Sequence, residues 1–509
     1  EIETENADLF LGEDASDAAI NKVPWKKIRQ EVIPKLQIAL KDPFFDVRAA
    51  AAIALGKCGM PDSRPYIEAT LNDEDKRVRE SACLALGILG NKEAVPTLIG
   101  IMNNDQASRR KLGRGTGDIL PRTRAFAAIA IGLIGRRNGD MSDTKAVEVL
   151  TKLLLDKRAN KAHVDLEVGP IVALGLMKSK ESVPTLIDFL KDDDNRFQSR
   201  GYAATTLGKI GDPSATDVLI KMLKDKQNQV VQSSAMALGQ LIDKDDKKRN
   251  RQLQRMTKVG KDLAAKNFSV MSMGLIGGED NRNFLFGLLK GNNFEQTFGA
   301  LALGVYFYNN PDDAQKADVA KTLHKAFKNT KSPDERGAYA IAMGLMKYEP
   351  AGKDLMKVVE KGGQASMRSH LCLALGLIDY DDAIPLVREI VKEKGDIDLR
   401  RNAAITLGLL GDRTAMDFLQ KEMERSENSL AVLGAVTQGL GFIGDVAAVP
   451  KLNEMATDRK KYKDNTRAFS AVALGLLGDK DDIPILFAIA ENNNYIARTD
   501  ALGEVLTIL

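Results

Sequence analysis

Histidine and cysteine are the side chains that most often act as nucleophiles, general bases and metal ligands, and this 509-residue chain has only three of each. They are His163, His324, His370, Cys58, Cys83 and Cys372. The cysteines lack the CxxC spacing of a zinc or redox site, and each lies in an Ala- and Leu-rich stretch typical of a buried helix. These residues therefore predict no catalytic site, no metal site and no cofactor.

Arginine recurs at a fixed place in a short block that reads Arg-x-x-Ala-x-x-x-Leu-Gly. Examples are RAAAAIALG, which ends at Gly56, RESACLALG, which ends at Gly87, and RAFSAVALG, which ends at Gly475. Eight copies carry the arginine eight residues before this marker glycine, at Arg48, Arg79, Arg124, Arg200, Arg336, Arg368, Arg400 and Arg467. Such a row could bind phosphates. A row of Arg–Asp contacts that joins successive repeats, here called the ladder, explains the recurrence better, since an aspartate often lies six residues before the arginine, as at Asp42 and Asp73.

The block predicts a helical-hairpin repeat. Ala and Leu at i, i+3, i+4 and i+7 form an apolar stripe, and the glycine-rich ending predicts a helix stop. A second helix follows, with proline in its first turn at Pro96, Pro184, Pro385 and Pro450. Weaker copies end at Gly175, Gly239, Gly274, Gly304, Gly441 and Gly503. We therefore expect an all-α, right-handed α-solenoid of about fourteen stacked hairpins, in the form of a long curved strip.

This pattern resembles the HEAT-repeat family, in particular the bacterial HEAT-like repeats of the bilin-lyase type, from about Trp25 to the end. The resemblance implies that the Arg and Asp of the repeat bond within and between layers. HEAT-repeat deoxyhypusine hydroxylases hold two irons with His-Glu pairs, whereas Val, Lys and Leu follow the three histidines here. The resemblance leaves open a bilin-lyase-like accessory protein or chaperone as an alternative function.

Departures from the repeat are the candidate binding sites. Residues 1–22 form an acidic N-terminal tail, and residues 23–509 form the solenoid, with insertions at 103–122, 244–261 and 305–335. The candidate partner-binding residues are Arg109, Arg110, Lys111 and Arg114, which Arg136 and Arg137 could extend, then Lys247, Lys248, Arg249 and Arg251, and finally Tyr306 and Tyr308. Each basic stretch is either solvated surface or a binding site. The tyrosines either cover core or anchor a partner.

Charge and hydropathy bear on whether the protein binds nucleic acid, spans a membrane or is exported. Lys plus Arg (73) nearly balances Asp plus Glu (70), so no whole-molecule field favours nucleic acid, and binding of nucleic acid is not expected. No apolar run approaches the ~20 residues of a membrane span. The apolar ending ALGEVLTIL predicts either a longer chain or an end buried against a partner. The start at Glu1 favours an exported or periplasmic bacterial protein over a cytoplasmic one.

Together these features predict a non-catalytic protein-binding scaffold or assembly subunit that presents an extended helical surface. Polyanion or nucleic-acid binding through the basic loops is the alternative that the charge runs leave open.

Overall fold

The computed structural model describes residues 23–138, 144–160, 163–393, 395–425 and 429–479. Within these ranges the chain is helical and contains no strand, which confirms the all-α solenoid. The acidic tail at 1–22, the apolar C-terminal end and the repeat copy that ends at Gly503 lie outside the described residues.

Thirteen repeats are described, and each pairs an outer helix with the inner helix that follows it. In chain order, outer then inner, they are α1 (Ile33–Ala39) and α2 (Phe45–Lys57); α3 (Arg64–Ala69) and α4 (Lys76–Leu89); α5 (Val95–Met102), then the short α6 (Gln106–Lys111), and α7 (Pro121–Asn138); α8 (Thr144–Leu155), then the short α9 (Lys157–Asn160), and α10 (Asp165–Leu176); α11 (Val183–Lys191) and α12 (Phe197–Ile210); α13 (Thr216–Met222) and α14 (Asn228–Leu238); α15 (Lys247–Val259) and α16 (Leu263–Ile276); α17 (Glu279–Leu288) and α18 (Asn293–Asn309); α19 (Lys316–Asn329) and α20 (Pro333–Leu345); α21 (Gly352–Lys361) and α22 (Ala365–Ile378); α23 (Ile384–Lys392) and α24 (Ile397–Leu409); α25 (Met416–Arg425) and α26 (Leu430–Ile443); α27 (Val449–Thr457) and α28 (Asp464–Gly478).

Shorter helical turns connect these helices. A turn at Trp25–Lys27 and a π-helical turn at Ile28–Val32 lead into α1. Turns of 3₁₀-helix lie at Pro61–Ser63, Thr70–Asn72, Lys92–Ala94, Lys180–Ser182, Pro213–Ala215, Glu349–Ala351, Asp381–Ala383, Arg413–Ala415 and Val446–Ala448. The predicted prolines lie in the first turn of their outer helices, where a missing N–H leaves no hydrogen bond unmade.

The marker glycines bring neighbouring inner helices together, and the predicted helix stop lies at the last glycine of the glycine-rich ending. A Cβ atom added at Gly87 would lie 2.6 Å from the Ala130 Cα, and one added at Gly132 would lie 2.6 Å from the Ala173 Cα. These alanines lie two residues before the marker of the next repeat. The stop falls to a later glycine, such as Gly90, which takes a positive φ of 75°.

The ladder arginines join the turn of their own repeat to the repeat that follows. Their guanidinium groups donate to backbone carbonyls of that turn, Arg48 to Asp42, Arg79 to Asp73, Arg124 to Met102, Arg200 to Leu190, Arg336 to Thr330, Arg400 to Val391 and Arg467 to Tyr462. Several also reach a carboxylate of a neighbouring repeat, Arg48 to Asp73, Arg200 to Asp225, Arg368 to Glu393, Arg400 to Glu422 and Arg467 to Asp42, at 2.6–3.0 Å. Donation to the last carbonyls of an outer helix satisfies groups that lack an intrahelical partner.

The surroundings of these arginines differ according to whether the carboxylate is present. The hydrogen bond that Arg48 donates to the Asp73 carboxylate raises the pKa of Arg48, although burial opposes it. Burial lowers the pKa of Arg79 and of Arg124, which donate to backbone carbonyls. All three groups stay charged at neutral pH, because an arginine side chain titrates far above it.

The row of inner helices closes on itself. Helix α28 of repeat 13 packs against α2 of repeat 1, and α27 packs against α1 in the outer layer. A Cβ atom added at Gly475 would lie 2.7 Å from the Ala54 Cα, which reproduces the glycine–alanine contact between ordinary neighbours. The predicted open strip is therefore wrong for the described residues, which form a closed ring.

Polar contacts at this closing seam follow the ladder pattern. The Arg467 guanidinium donates to both carboxylate oxygens of Asp42 at 3.0 and 3.1 Å, and Arg459 Nε donates to the same carboxylate at 3.2 Å. Asn453 Nδ2 donates to the Glu31 carbonyl at 3.1 Å in the outer layer. Asp42 is only 2% exposed, and its carboxylate is bound by these two arginines and by the Phe44 amide.

A disulfide across the seam tests the ring. A Cβ atom added at Gly478 would lie 3.6 Å from the Cys58 Cβ, within the range that disulfides require. We expect Gly478→Cys to form a disulfide with Cys58 under mild oxidation, seen as a mobility shift on a non-reducing gel and as a linked peptide by mass spectrometry.

Two controls accompany this variant. Gly411→Cys introduces a thiol at a position with no atom within 4 Å of its Cβ, and Gly478→Cys combined with Cys58→Ala removes the partner. Neither control should form the cross-link. If Gly478→Cys also forms none, the closed seam is contradicted.

The close approach of the inner helices gives a second prediction. Gly132→Ala places a Cβ against the backbone of Ala173, so we expect a loss of about 1–3 kcal/mol in stability, measured as a lower urea midpoint. Gly287→Ala is the matched control, since this helical glycine has no atom within 4 Å of its Cβ and the change should be neutral or stabilise by about 0.5 kcal/mol. Equal effects of the two changes would contradict the packing role.

Candidate protein-binding surface

The repeats give the ring two different edges. We call the edge that carries the turns from outer to inner helix within each repeat the upper edge. The edge that carries the turns between successive repeats is the lower edge. Because the marker glycine of each inner helix meets the corresponding segment of the next, all inner helices run in the same direction, and every outer helix ends at the upper edge.

The basic insertion 103–122 lies on the upper edge of repeat 3 and is held by its own polar groups. Asn104 accepts from the Ile119 amide at 2.8 Å and donates to Asp118 at 2.8 Å, which joins the two ends of the loop. The Asp105 carboxylate accepts from the Ser108 amide at 2.6 Å and so begins helix α6. The insertion is therefore a folded loop.

Its four cations differ in their surroundings. Arg109 lies 3.4 Å from Asp118, and Lys111 lies 3.5 Å from Glu68 of the preceding repeat. Arg110 and Arg114 are exposed, and neither forms an ion pair with any residue that the structure describes. Only these two can receive an anionic group without losing an existing contact.

Arg136 and Arg137 do not extend this loop. They lie at the C-terminal end of α7, on the lower edge, about 22 Å along the helix from its first turn. The Arg137 guanidinium donates to the Ile88 carbonyl and packs on Gly90 of the preceding repeat. The structure thus assigns Arg137 a contact between repeats.

Two of the four cations in the basic run at the start of α15 are paired with carboxylates. Arg249 donates to Asp217 at 2.9 Å and to Asp246 at 2.7 Å, and Lys247 lies 3.9 Å from Asp280. Asp217 belongs to the preceding outer helix and Asp280 to the following one. Lys248 and Arg251 are exposed, with no ion pair inside the described ranges.

The other end of α15 carries a different kind of surface. Here Val259 and Leu263 are exposed by 64% and 48%, large fractions for aliphatic side chains. Six exposed cations lie on the same upper edge, near the ends of the outer helices of repeats 6–8, at Lys224, Lys226, Arg255, Lys258, Lys261 and Lys290. None of these six is ion-paired within the described part of the chain. We call this group, with Val259 and Leu263, the basic edge.

The carboxylates nearest the basic edge in sequence are already engaged in folding contacts. Asp225 is bound by Arg200 at 2.6 Å. Asp262 caps α16 by accepting from the Ala265 amide at 2.8 Å, and it also accepts from Gln232. Glu295 completes a capping box with Asn292. The positive charge of the basic edge is therefore left for an external group.

The aromatic cluster in 305–335 has a divided role. Tyr306 is only 4% exposed, and its hydroxyl donates to Asp313 at 2.9 Å, beside the Arg282 guanidinium. Burial, reinforced by the hydrogen bond to Asp313, raises the pKa of Tyr306. Phe307 is fully buried, whereas Tyr308 is exposed. Tyr306 thus covers core, and Tyr308 alone faces outward.

The chemically reactive side chains lie apart from this surface. Burial raises the pKa of the Cys58, Cys83 and Cys372 thiols to about 12, so all three remain neutral thiols at physiological pH. His324 pairs with Asp354 at 3.0 Å. Across the described ranges, no three His, Cys, Asp or Glu side chains are grouped to hold a metal ion, and no helix is long and apolar enough to cross a membrane.

Val259, Leu263, Lys224, Lys226 and Lys290 were not singled out by the sequence. A lysine near the C-terminal end of a helix interacts favourably with the helix dipole, so each of these lysines alone is explained as an ordinary surface residue. One feature of the sequence could have indicated this surface. Val259 and Leu263 are aliphatic residues within KVGKDL, which lies beyond the end of the apolar stripe of α15.

Comparison with known proteins agrees with this architecture. Residues 33–114, 157–239 and 392–464 match the family of HEAT repeats. These three regions are HEAT repeats. No match was found among curated proteins.

Several solved structures show a partial similarity to this chain. The complex of CpcE and CpcF of phycocyanin lyase from Nostoc sp. is 18% identical, over 52% of this chain and 94% of that chain, with a TM-score of 0.32. Human deoxyhypusine hydroxylase is 17% identical, over 55% and 96%, with a TM-score of 0.24. Yeast importin-β is 12% identical, over 94% and 65%, with a TM-score of 0.37. These similarities concern the helical repeat alone.

A charge-reversal pair tests the availability of the basic edge. We expect Lys258→Glu with Lys261→Glu to lower the salt concentration at which the protein elutes from a heparin column, because a cluster of cations without carboxylate partners contributes most to anion binding. The double variant Lys247→Glu with Lys248→Glu changes net charge equally at the other end of α15 and should shift elution less. Equal shifts would mean that only net charge matters.

Proposed function

We propose that this chain is a non-catalytic scaffold that binds an acidic protein partner along its upper edge, with the basic edge as the main contact. HEAT repeats supply a stiff frame that fixes many turns in one surface. The observation that carries the proposal is the group of six cations without ion pairs around two exposed aliphatic side chains.

The composition of the basic edge favours a protein ligand. Burial of Val259 and Leu263 beneath a partner could contribute up to about 1.5–3 kcal/mol for each side chain. The surrounding lysines would then speed association and select acidic partners, since charge complementarity acts mainly on rate and specificity. Aliphatic residues inside a polar, charged rim are the usual arrangement of a protein interface.

Nucleic acid is the less favoured ligand. Proteins that hold single strands stack bases on exposed aromatic rings, and the exposed apolar residues of the basic edge are aliphatic.

The insertion 103–122 offers a second point of contact on the same edge. Arg110 and Arg114 are exposed there, four repeats before the centre of the basic edge. A partner long enough to span both would gain from two linked contacts, because the second contact forms at high effective concentration.

Site-specific photo-cross-linking tests this function. A photoreactive phenylalanine at Val259 should capture a protein in extract of the source cells, and Lys258→Glu with Lys261→Glu should abolish that product. The same photoreactive residue at Tyr66, which is 46% exposed on an outer helix of repeat 2, is the matched control.

The alternatives give different products. If the cross-linked product is nucleic acid or lipid, the proposed protein scaffold is wrong and the function is binding of a polyanion or a membrane. Equal capture at the two positions, or capture that survives charge reversal, would reject the basic edge as the binding surface. A smaller decrease on Arg110→Glu with Arg114→Glu would support the second contact.

A further inference from the structure

Three tyrosines occupy the same place in three successive repeats. Tyr308, Tyr348 and Tyr380 each lie four residues after the marker glycine of repeats 8, 9 and 10, and none of the other ten described repeats has an aromatic residue there. This position is at or just beyond the C-terminal end of the inner helix, so the row follows the lower edge. Tyr308 is 45% exposed, and the other two tyrosines are partly exposed.

The second and third tyrosines are held by their own repeats. The Tyr348 ring packs edge-on against His324, with the ring centroids 5.8 Å apart. A Cβ atom added at Gly352 would overlap the Tyr380 ring, so this ring lies directly on the start of α21. Rings that are already fixed lose little side-chain freedom when a partner binds, and tyrosine is among the residues enriched in protein interfaces.

Exposed carboxylates accompany the tyrosines in the turns between repeats 8 and 11. Four of them form no ion pair with any residue that the structure describes, namely Asp312, Glu349, Asp381 and Asp382. Lys347 pairs with Asp379 at 3.0 Å. Two lysines at the start of the adjoining outer helices, Lys316 and Lys353, have no ion pair among the described residues, so the unpaired charge of these turns is negative. We call the four carboxylates and the three tyrosines the acidic edge.

The acidic edge and the basic edge match in extent and in chemistry. Each spans three successive repeats of one ring, 8–10 on the lower edge and 6–8 on the upper edge, so the two cover arcs of similar length. Carboxylates and tyrosine faces both attract lysine and arginine, and the tyrosine rings also offer apolar surface to Val259 and Leu263. Because the two edges lie on opposite sides of the ring, one molecule cannot join its own pair.

We propose that the basic edge of one molecule binds the acidic edge of a second copy, so that the rings stack head to tail. This inference rests on the proposed function, because it names a second copy of this chain as the acidic partner. The contact joins two different surfaces and leaves one of each free at the ends of the stack, so it continues as an open assembly. The net charge of +3 opposes such stacking only weakly.

A charge exchange between the two edges tests the stack. In sedimentation velocity of the purified full chain at low salt, we expect Asp381→Lys with Asp382→Lys to raise the dissociation constant of self-association at least tenfold. Lys258→Glu with Lys261→Glu should do the same. An equimolar mixture of the two variants should associate again, because the reversed edge of each variant is then complementary to an edge of the other.

The control for this experiment is Glu181→Lys with Asp245→Lys. Both residues are exposed on the lower edge outside the acidic edge, so this pair makes the same change in net charge and should leave self-association unchanged. A wild-type chain that stays monomeric at every concentration would overturn the stack. So would a variant mixture that fails to associate, or a control that weakens association as much as the acidic-edge pair.

Cross-linking of the purified chain separates this inference from the proposed function. With photoreactive phenylalanine at Val259, we expect a dimer whose linked peptide carries Tyr308, Tyr348 or Tyr380, identified by mass spectrometry. If Val259 captures a different protein in cell extract and gives no dimer from the purified chain, the proposed function stands and the stack is wrong. If it captures no protein in either sample, both are wrong.

Discussion

The contact between a marker glycine and the small residue two places before the next marker sets the geometry of the whole molecule. At Gly87 and Gly132 a single methyl group would collide with the neighbouring helix backbone, so the inner helices approach as closely as their backbones permit. The outer helices lack this constraint and spread apart. Tighter spacing inside than outside curves the array, and the curvature accumulates from one repeat to the next until α28 meets α2.

The ladder arginines act on the same joints from the upper edge. Seven of the eight guanidinium groups donate to backbone carbonyls at the turn that follows their own outer helix, and several of the eight meet a carboxylate of the next repeat. Removal of one partner of such a buried pair costs several kcal/mol, because the other charge is left without compensation. Since Arg467 and Asp42 form the same contact, the ring closes with the chemistry that holds any two neighbouring repeats together.

Surface charge follows from the direction of the helices. Acidic residues at the start of α13 and α17 neutralise the first half of α15, where Arg249 and Lys247 lie. At its other end α15 meets turns in which the carboxylates cap helices or bind ladder arginines. One continuous basic run in the sequence is thus divided into a first half in which two cations are paired and a second half whose cations form no ion pair within the described residues.

The sequence by itself determined the repeat, the pairing of two helices within it, and the places where the pattern is interrupted. These depend on local periodicity, on proline in a first turn and on glycine near a helix end, which short segments specify alone. It also singled out the arginine ladder, because a contact made in every repeat leaves its mark at a fixed spacing. Only the tertiary structure decided that the array closes, that Arg136 and Arg137 lie on the other edge from 103–122, and that Lys224, Lys258 and Lys290 share one surface. Closure depends on a small rotation summed over thirteen joints, and a shared surface depends on residues far apart in the chain, so neither appears in any single repeat.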